Sequence, residues 1–298
     1  MTAQSSSTPI YFQNQTMSPA IPPPQQQPQE QSPTATTFPI MRKHKFPTPL
    51  LRLSIHDLAH EGASIFLSHI HGNEDLETQV QNVLNLLYDS PTEPSSSSNP
   101  SSIEAATKTH RPGTRSVTLI IRPFPGVAYT TGSELDDDHK EINLSASYIV
   151  KCARGSDKRR ELLGVICHEL VHCFQWSAGG TCPGGLIEGI ADWVRLRAGL
   201  GAAHWKQEAA GEWDGGYQKT GYFLEWLEGR FGEGTVRGLN ARLREGGYEE
   251  ERVFGECCGG RRVGELWEEY REDLRRRDGC EDGDGPANPI PTHSVGGE

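Results

Sequence analysis

The chain has 298 residues, of which 35% are hydrophobic, and a formal charge of -11. That charge excludes the Lys/Arg surplus with which proteins grip phosphate backbones, so no nucleic-acid partner is expected. The longest apolar runs, such as Val117 to Ile121, fall far short of the roughly 20 residues that a membrane-crossing helix needs, and no membrane partner is expected either.

Residues 1–46 are dominated by Pro, Gln, Ser and Thr, as in PAIPPPQQQPQEQSP. They cannot bury enough apolar surface to offset the entropy of ordering, which predicts a disordered tail. The opening MTAQSSSTPIYFQNQTM has neither the basic start nor the apolar block of a secretory signal, so an intracellular location is expected. The seven cysteines lack the regular spacing of a disulfide framework and form no CxxC pair. They are expected as reduced thiols, most of them acting as small buried apolar residues.

From Pro47 the apolar periodicity sets in, and one α+β domain is expected over 47–275. RLSIHDLAHEGASIFLSHI, opened by Ser54 as a cap, and LETQVQNVLNLLYDS predict two amphipathic helices. The polar stretch that follows predicts a mobile insertion over 90–115. SVTLIIRPF and GVAYTTG predict strands on either side of a Pro-Gly turn. KEINLSASYIV alternates Ile142, Leu144, Ala146 and Tyr148 with Asn143, Ser145 and Ser147, the pattern of a half-buried strand. After Lys151 a helix is expected through Trp176, then a break at Gly179-Gly180 and a second helix from Pro183-Gly184-Gly185 to Gly199. Further helices are expected in TGYFLEWLEGRFG and VGELWEEYREDLRRR, and a second disordered tail over 276–298.

The chemistry concentrates in ELLGVICHELVHCFQW. In a helix, His168 and His172 fall only ~40° apart, so both imidazoles can meet one ion. Alone, an HExxH match is a weak signal, and two surface histidines would explain it as well. The flanks decide: Leu163, Ile166, Leu170 and Phe174 make the opposite face apolar, so the helix is expected to be buried and its polar groups to need partners.

The following helix, GGLIEGIADWVRL, carries Glu188, Asp192 and Arg195 on one face. Taken alone this reads as a solvent face with an Asp192–Arg195 ion pair. The short Pro-Gly-Gly connection instead sends it back toward the first helix, where Glu188 would complete a site with His168 and His172. Two imidazoles and a carboxylate leave a fourth zinc position open to water, Glu169 stands beside the first ligand as general base, and Asp192 is placed to hold a ligand histidine's free N–H. One Zn2+ per chain is expected. His56 and His60 repeat the histidine spacing, but Asp57 replaces the base and no acidic helix follows. An amphipathic helix with partly exposed histidines is the reading there.

CHELVHCFQW, PGGLIEGIADWVRLRAGL, GVAYTTGS, HKEINLSASYI and GELWEEY together resemble the plant basic secretory protein family, whose members also occur in fungi and bacteria, over roughly Pro47 to Arg271. The resemblance implies a zincin-like fold, with a small mixed sheet whose edge strand packs on the HExxH helix and a glutamate helix after it, and a helical C-terminal part. It implies a metallopeptidase with Glu188 as third ligand and Asp192 behind a histidine; Asp192 as the ligand itself stays open. A third histidine of the HExxHxxGxxH kind is excluded, because Gln175 and Ala178 stand in those places. By analogy with glutamate-type zinc peptidases, the strand Lys140–Val150 would be the substrate-binding edge, with Asn143, Ser145 and Ser147 flanking a peptide or protein substrate. Tyr217, after Gly215 and Gly216, would donate to the oxyanion, the alternative being a tyrosine packed under the following helix with its hydroxyl at the surface. The chain departs from the family in its acidity and in lacking a recognisable signal, so secretion and plant defence do not carry over. The alternative functions are a non-catalytic zinc- or carbohydrate-binding scaffold, and an interaction protein acting through its Gln/Pro-rich tail.

Overall fold

The computed structural model describes residues 45–89, 111–152, 157–244 and 246–281. Of the expected tails over 1–46 and 276–298, residues 1–44 and 282–298 lie outside the described residues, as do residues 90–110 of the expected insertion.

Four strands form one mixed sheet in the order β1-β2-β4-β3: β1 (Leu50–Ile55), β2 (Ser116–Arg122), β3 (Ala128–Ser133) and β4 (Asp136–Ser145). β1, β2 and β4 are mutually parallel, with Leu119 facing both Leu53 and Ile142, and β3 returns antiparallel to β4. Parallel neighbours need a crossover. α1 (Glu61–His69) and α2 (Gly72–Leu87) supply it between β1 and β2. α3 (Ala146–Cys152) and α4 (Lys158–Phe174) follow β4. Then come α5 (Gly184–Arg197), α6 (Tyr217–Phe231), α7 (Thr235–Arg242), α8 (Glu250–Cys257) and α9 (Val263–Glu281).

The core fills the space between sheet and helices, and α4 runs through its middle. Leu162, Ile166, Leu170, Val171 and Phe174 are all fully buried, alongside Leu119, Leu144, Val83 and Ile190. Asp157 starts α4 by accepting from Arg160 N–H at 3.0 Å, which satisfies one of the first-turn donors. Its last turn is tied from outside. Thr114 Oγ donates to Cys173 O at 2.7 Å, and the Tyr88 hydroxyl donates to Phe174 O. A helix held at both ends in this way gives its side chains fixed positions.

Three expectations are corrected. The first expected helix is split. Leu50–Ile55 is an edge strand, and Ser54 lies within it rather than capping a helix. Asp57 turns the chain by accepting from Ala59 N–H, an Asx turn, and His60 caps α1 by accepting from Gly62 N–H at 3.0 Å. His56 is exposed in that turn, so the HDLAH segment is a strand-to-helix corner and not an amphipathic helix. Second, the strand expected over 140–150 starts earlier and stops at Ser145, whose Oγ accepts from Tyr148 N–H as a helix cap and donates to Phe124 O. Third, the last helix continues to Glu281, past the expected boundary at 275. Of the expected insertion, Thr114 and Arg115 are tied to Cys173 and to Asp138 O.

Cys152, Cys167, Cys173, Cys182, Cys257 and Cys258 are all free, and Cys167, Cys173 and Cys258 are buried. No helix among the described residues is long and apolar enough to cross a membrane.

Candidate metal centre

α4 and α5 pack antiparallel, so polar residues one helical stripe apart on each meet across a seam. His172, His168 and Glu161 on α4 stand opposite Glu188, Asp192 and Arg195 on α5. The Asp192–Arg195 pair expected for a solvent face does not form, because Arg195 bonds Glu161 and Asp192 bonds His168.

His168 Nε2 lies 3.1 Å from Glu188 Oε2 and 3.3 Å from His172 Nε2, and that second nitrogen lies 3.8 Å from the same carboxylate oxygen. His168, His172 and Glu188 form a group that could hold a metal ion, with ligand atoms all within 4.8 Å of one another. Tetrahedral ligands bound at ~2.0–2.1 Å sit ~3.4 Å apart, so the observed separations suit a small metal ion.

The hydrogen-bonding outside the triad sharpens this. Asp192 Oδ1 is 2.7 Å from His168 Nδ1. An ionised carboxylate only accepts, so Nδ1 carries a proton toward Asp192; Nε2 faces a second carboxylate, Glu188, and in the metal-free chain carries a proton there whose place a bound cation would take. Gln175 Nε2 is 2.7 Å from His172 Nδ1, while Gln175 Oε1 is buried without a hydrogen-bond partner. A half-turn of the amide places Oε1 where it accepts from Nδ1–H, which leaves the His172 Nε2 lone pair free. With a cation in place of the His168 Nε2 proton, two nitrogen lone pairs and a carboxylate oxygen would converge on it. Gln175 is the contributor that sequence reasoning missed. Its spacing from His172, i to i+3 at the helix end, was the available signal.

The charges follow the same logic. Burial opposes a proton on His168, yet the bonds to Asp192 and Glu188 outweigh it and raise its pKa to about 9. Burial and the charge on His168 lower His172 to about 4. Burial works to raise Glu188, but His168 and His172 outweigh it and hold that carboxyl below its usual range. In the metal-free chain, a proton on His168 therefore does the work of a cation.

Glu169 is buried at 6% exposure, and burial raises its pKa against the opposing pull of His168 and Thr130. Thr130, on β3, donates to Glu169 Oε2 at 2.7 Å. Tyr217 opens α6 with its ring stacked on His168, centroids 6.1 Å apart at 10°. The three residues expected along a substrate strand are not at an edge. β4 is paired on both sides, Asn143 and Ser145 are buried, and Ser147 is exposed on α3. The edge beside the site belongs to β3, whose Ala128 and Thr130 line the same cavity as His168 and Glu188.

The profile of the family described as "Peptidase of plants and bacteria" matches residues 48–270, and the chain belongs to that family. The resemblance to basic secretory proteins is thereby borne out. No curated protein and no solved structure matches the chain.

Proposed function

We propose that the chain is a zinc-dependent metallopeptidase of zincin-like architecture, with His168, His172 and Glu188 as ligands and Glu169 as general base. The observation that carries this reading is the convergence of three potential ligand atoms at 3.1, 3.3 and 3.8 Å, with a buried carboxylate on the adjacent residue. Zinc bound there would supply a Lewis acid that lowers the pKa of a water and polarises a carbonyl.

The protein's own residues divide the remaining work. Asp192 and Gln175 orient the two imidazoles through Nδ1 and keep each Nε2 as the coordinating atom. Thr130 holds Glu169 Oε2, which leaves Oε1 to accept a proton from water and return it to the leaving amine. Tyr217 would donate a hydrogen bond from its phenol O–H to a developing oxyanion, keeping its proton.

Peptide docking belongs on β3 rather than on β4. Val127 O accepts from Ser145 N–H, so in the antiparallel alternation Tyr129 and Thr131 also pair inward with β4. Ala128 and Thr130 then direct their main-chain N–H and C=O groups away from β4, where an extended peptide would add as a further strand.

A non-catalytic zinc- or carbohydrate-binding scaffold would have no use for a carboxylate base held by Thr130, and a structural zinc site favours four protein ligands. One experiment separates the readings: zinc content of the purified chain, with hydrolysis of a mixed peptide library before and after chelation. Bound zinc without chelator-sensitive hydrolysis would favour the scaffold. Absence of both would end the metallopeptidase reading.

A further inference from the structure

The cavity at the metal centre has a volume of about 860 Å3 and does not end at the ligands. It continues along the α4–α5 seam toward Glu161, Arg195, Tyr148 and Trp205. Seven residues of helix separate His168 from Glu161, a rise of ~10 Å, which is about the reach of one long side chain from a peptide backbone lying at the metal centre.

This far end is built in three layers. At its floor, Arg195 Nη2 donates to Glu161 Oε2 at 2.9 Å, and the Tyr148 hydroxyl donates to Glu161 Oε1 at 2.7 Å. Arg195 Nε donates to Leu200 O at 2.9 Å. The guanidinium lies against α4 where Gly164 has no side chain: a Cβ there would come within 2.5 Å of Arg195 Nε. Its other face is covered by the Trp205 ring, with the centroid 4.8 Å from the guanidinium carbon. Val165 and Ile187 form the walls nearer the metal centre.

Two properties follow. The floor is charge-balanced, because Arg195 and the facing Glu161 carboxylate already satisfy each other. Arg195 already neutralises Glu161, each of whose oxygens accepts a hydrogen bond, so an incoming ammonium or guanidinium gains little counter-charge, and an incoming carboxylate meets Glu161 beside Arg195. The walls are aromatic and branched aliphatic, which reward burial of an apolar group.

We infer that this end of the cavity is a side-chain specificity pocket for a bulky uncharged residue, aromatic or branched aliphatic, next to the scissile bond. The inference rests on the metallopeptidase reading and names the substrate class for that site.

The test uses the zinc-loaded full chain and peptidyl hydroxamates that differ only in the side chain next to the zinc-binding group: benzyl, isobutyl, methyl, aminobutyl and carboxyethyl. Binding is read by calorimetry. Benzyl and isobutyl should bind at least ~10-fold more tightly than methyl and than either charged chain, the scale of discrimination that apolar pockets reach. In Trp205→Ala the benzyl-to-methyl ratio should fall several-fold, which a purely structural tryptophan would not cause. Zinc-dependent binding with a flat profile, or with preference for a charged chain, overturns the pocket and leaves the metallopeptidase reading standing. A chain that takes up no zinc and binds no hydroxamate overturns both, and a zinc-loaded chain that binds none overturns the pocket.

Discussion

Asp192 Oδ1 stands 2.7 Å from His168 Nδ1, one helical turn beyond Glu188, whose Oε2 is 3.1 Å from Nε2 of the same ring. A single face of α5 thus grips His168 from both sides, one carboxylate at Nδ1 and the other at Nε2. Asp192 is 3% exposed, so its removal would leave a buried N–H without an acceptor. Asp192→Ala should weaken zinc binding ~10–100-fold, and Asp192→Asn less, since its amide oxygen can still accept. Competition with a calibrated chelator measures both. Equal affinity in wild type and Asp192→Ala would remove Asp192 from the site.

His172→Ala takes away one of the three candidate ligands and should abolish stoichiometric zinc. Metal analysis after dialysis against micromolar zinc reads the result directly. Full occupancy with wild-type affinity in this variant would move the metal elsewhere in the chain.

Much of this site was legible in the sequence, and the reason is helical periodicity. An i, i+4 spacing fixes His168 and His172 on one face whatever surrounds them, and the short link through Pro183 forces α5 back along α4. The partners of Arg195 and His172 were not legible in the same way. Arg195 reaches Glu161 because Gly164 leaves a notch, a fact of packing that no spacing announces. Sheet order was also hidden. The Lys140–Val150 segment alternates as an edge strand would, but β4 is flanked on one side by β2, about 23 residues earlier, and on the other by its hairpin partner β3, and alternation alone does not tell which of the three lies in the middle. The corner at Asp57 and the cap at Ser145 were readable, since both use short polar side chains on nearby N–H groups. Apolar alternation in the flanks outweighed them.

Glu169→Gln keeps the size of the side chain and removes its basicity. Zinc content should stay at the wild-type level while turnover falls ~10²–10⁴-fold. Thr130→Val removes the bond at 2.7 Å to Glu169 Oε2 and should lower kcat by roughly 10-fold without loss of zinc, the scale of one hydrogen bond to a charged group. Near-normal peptide hydrolysis by Glu169→Gln would exclude it as the base.

Zinc affinity should depend on pH through His168. In the metal-free chain its pKa is raised to about 9, against roughly 6.5 in an unfolded chain. A raised folded pKa means that the proton's contribution to stability is complete below the unfolded value and is lost as pH rises through about 9. Zinc must displace that proton, so its affinity should climb ~10-fold per pH unit from near neutrality and level off above the folded pKa. His172, lowered to about 4, releases no proton over this range. Buffered zinc titrations across it give the slope, and a flat profile would contradict a protonated His168.

Tyr217 combines an unusual backbone with an open position. Its φ of 48° is left-handed, a region that non-glycine residues seldom occupy, and its ring remains 56% exposed while stacked on His168. The neighbouring loop explains how it gets there. A Cβ on Gly185 would lie 1.7 Å from Asp214 O, so only glycine at the start of α5 lets the loop before Tyr217 lie against that helix. Holding a tyrosine in a strained conformation over the site is the kind of cost a protein carries where geometry serves a reaction. The negative charge of Glu188, then burial, raises the phenol's pKa, so it stays protonated and able to donate at neutral pH. Tyr217→Phe should therefore cut kcat by ~10²-fold or more, the cost of removing one oxyanion donor, with zinc content and Tm unchanged. Steady-state hydrolysis alongside metal analysis and thermal melts makes the comparison. If turnover is unaffected, the ring serves only as a wall over His168, and the oxyanion must be stabilised by another donor.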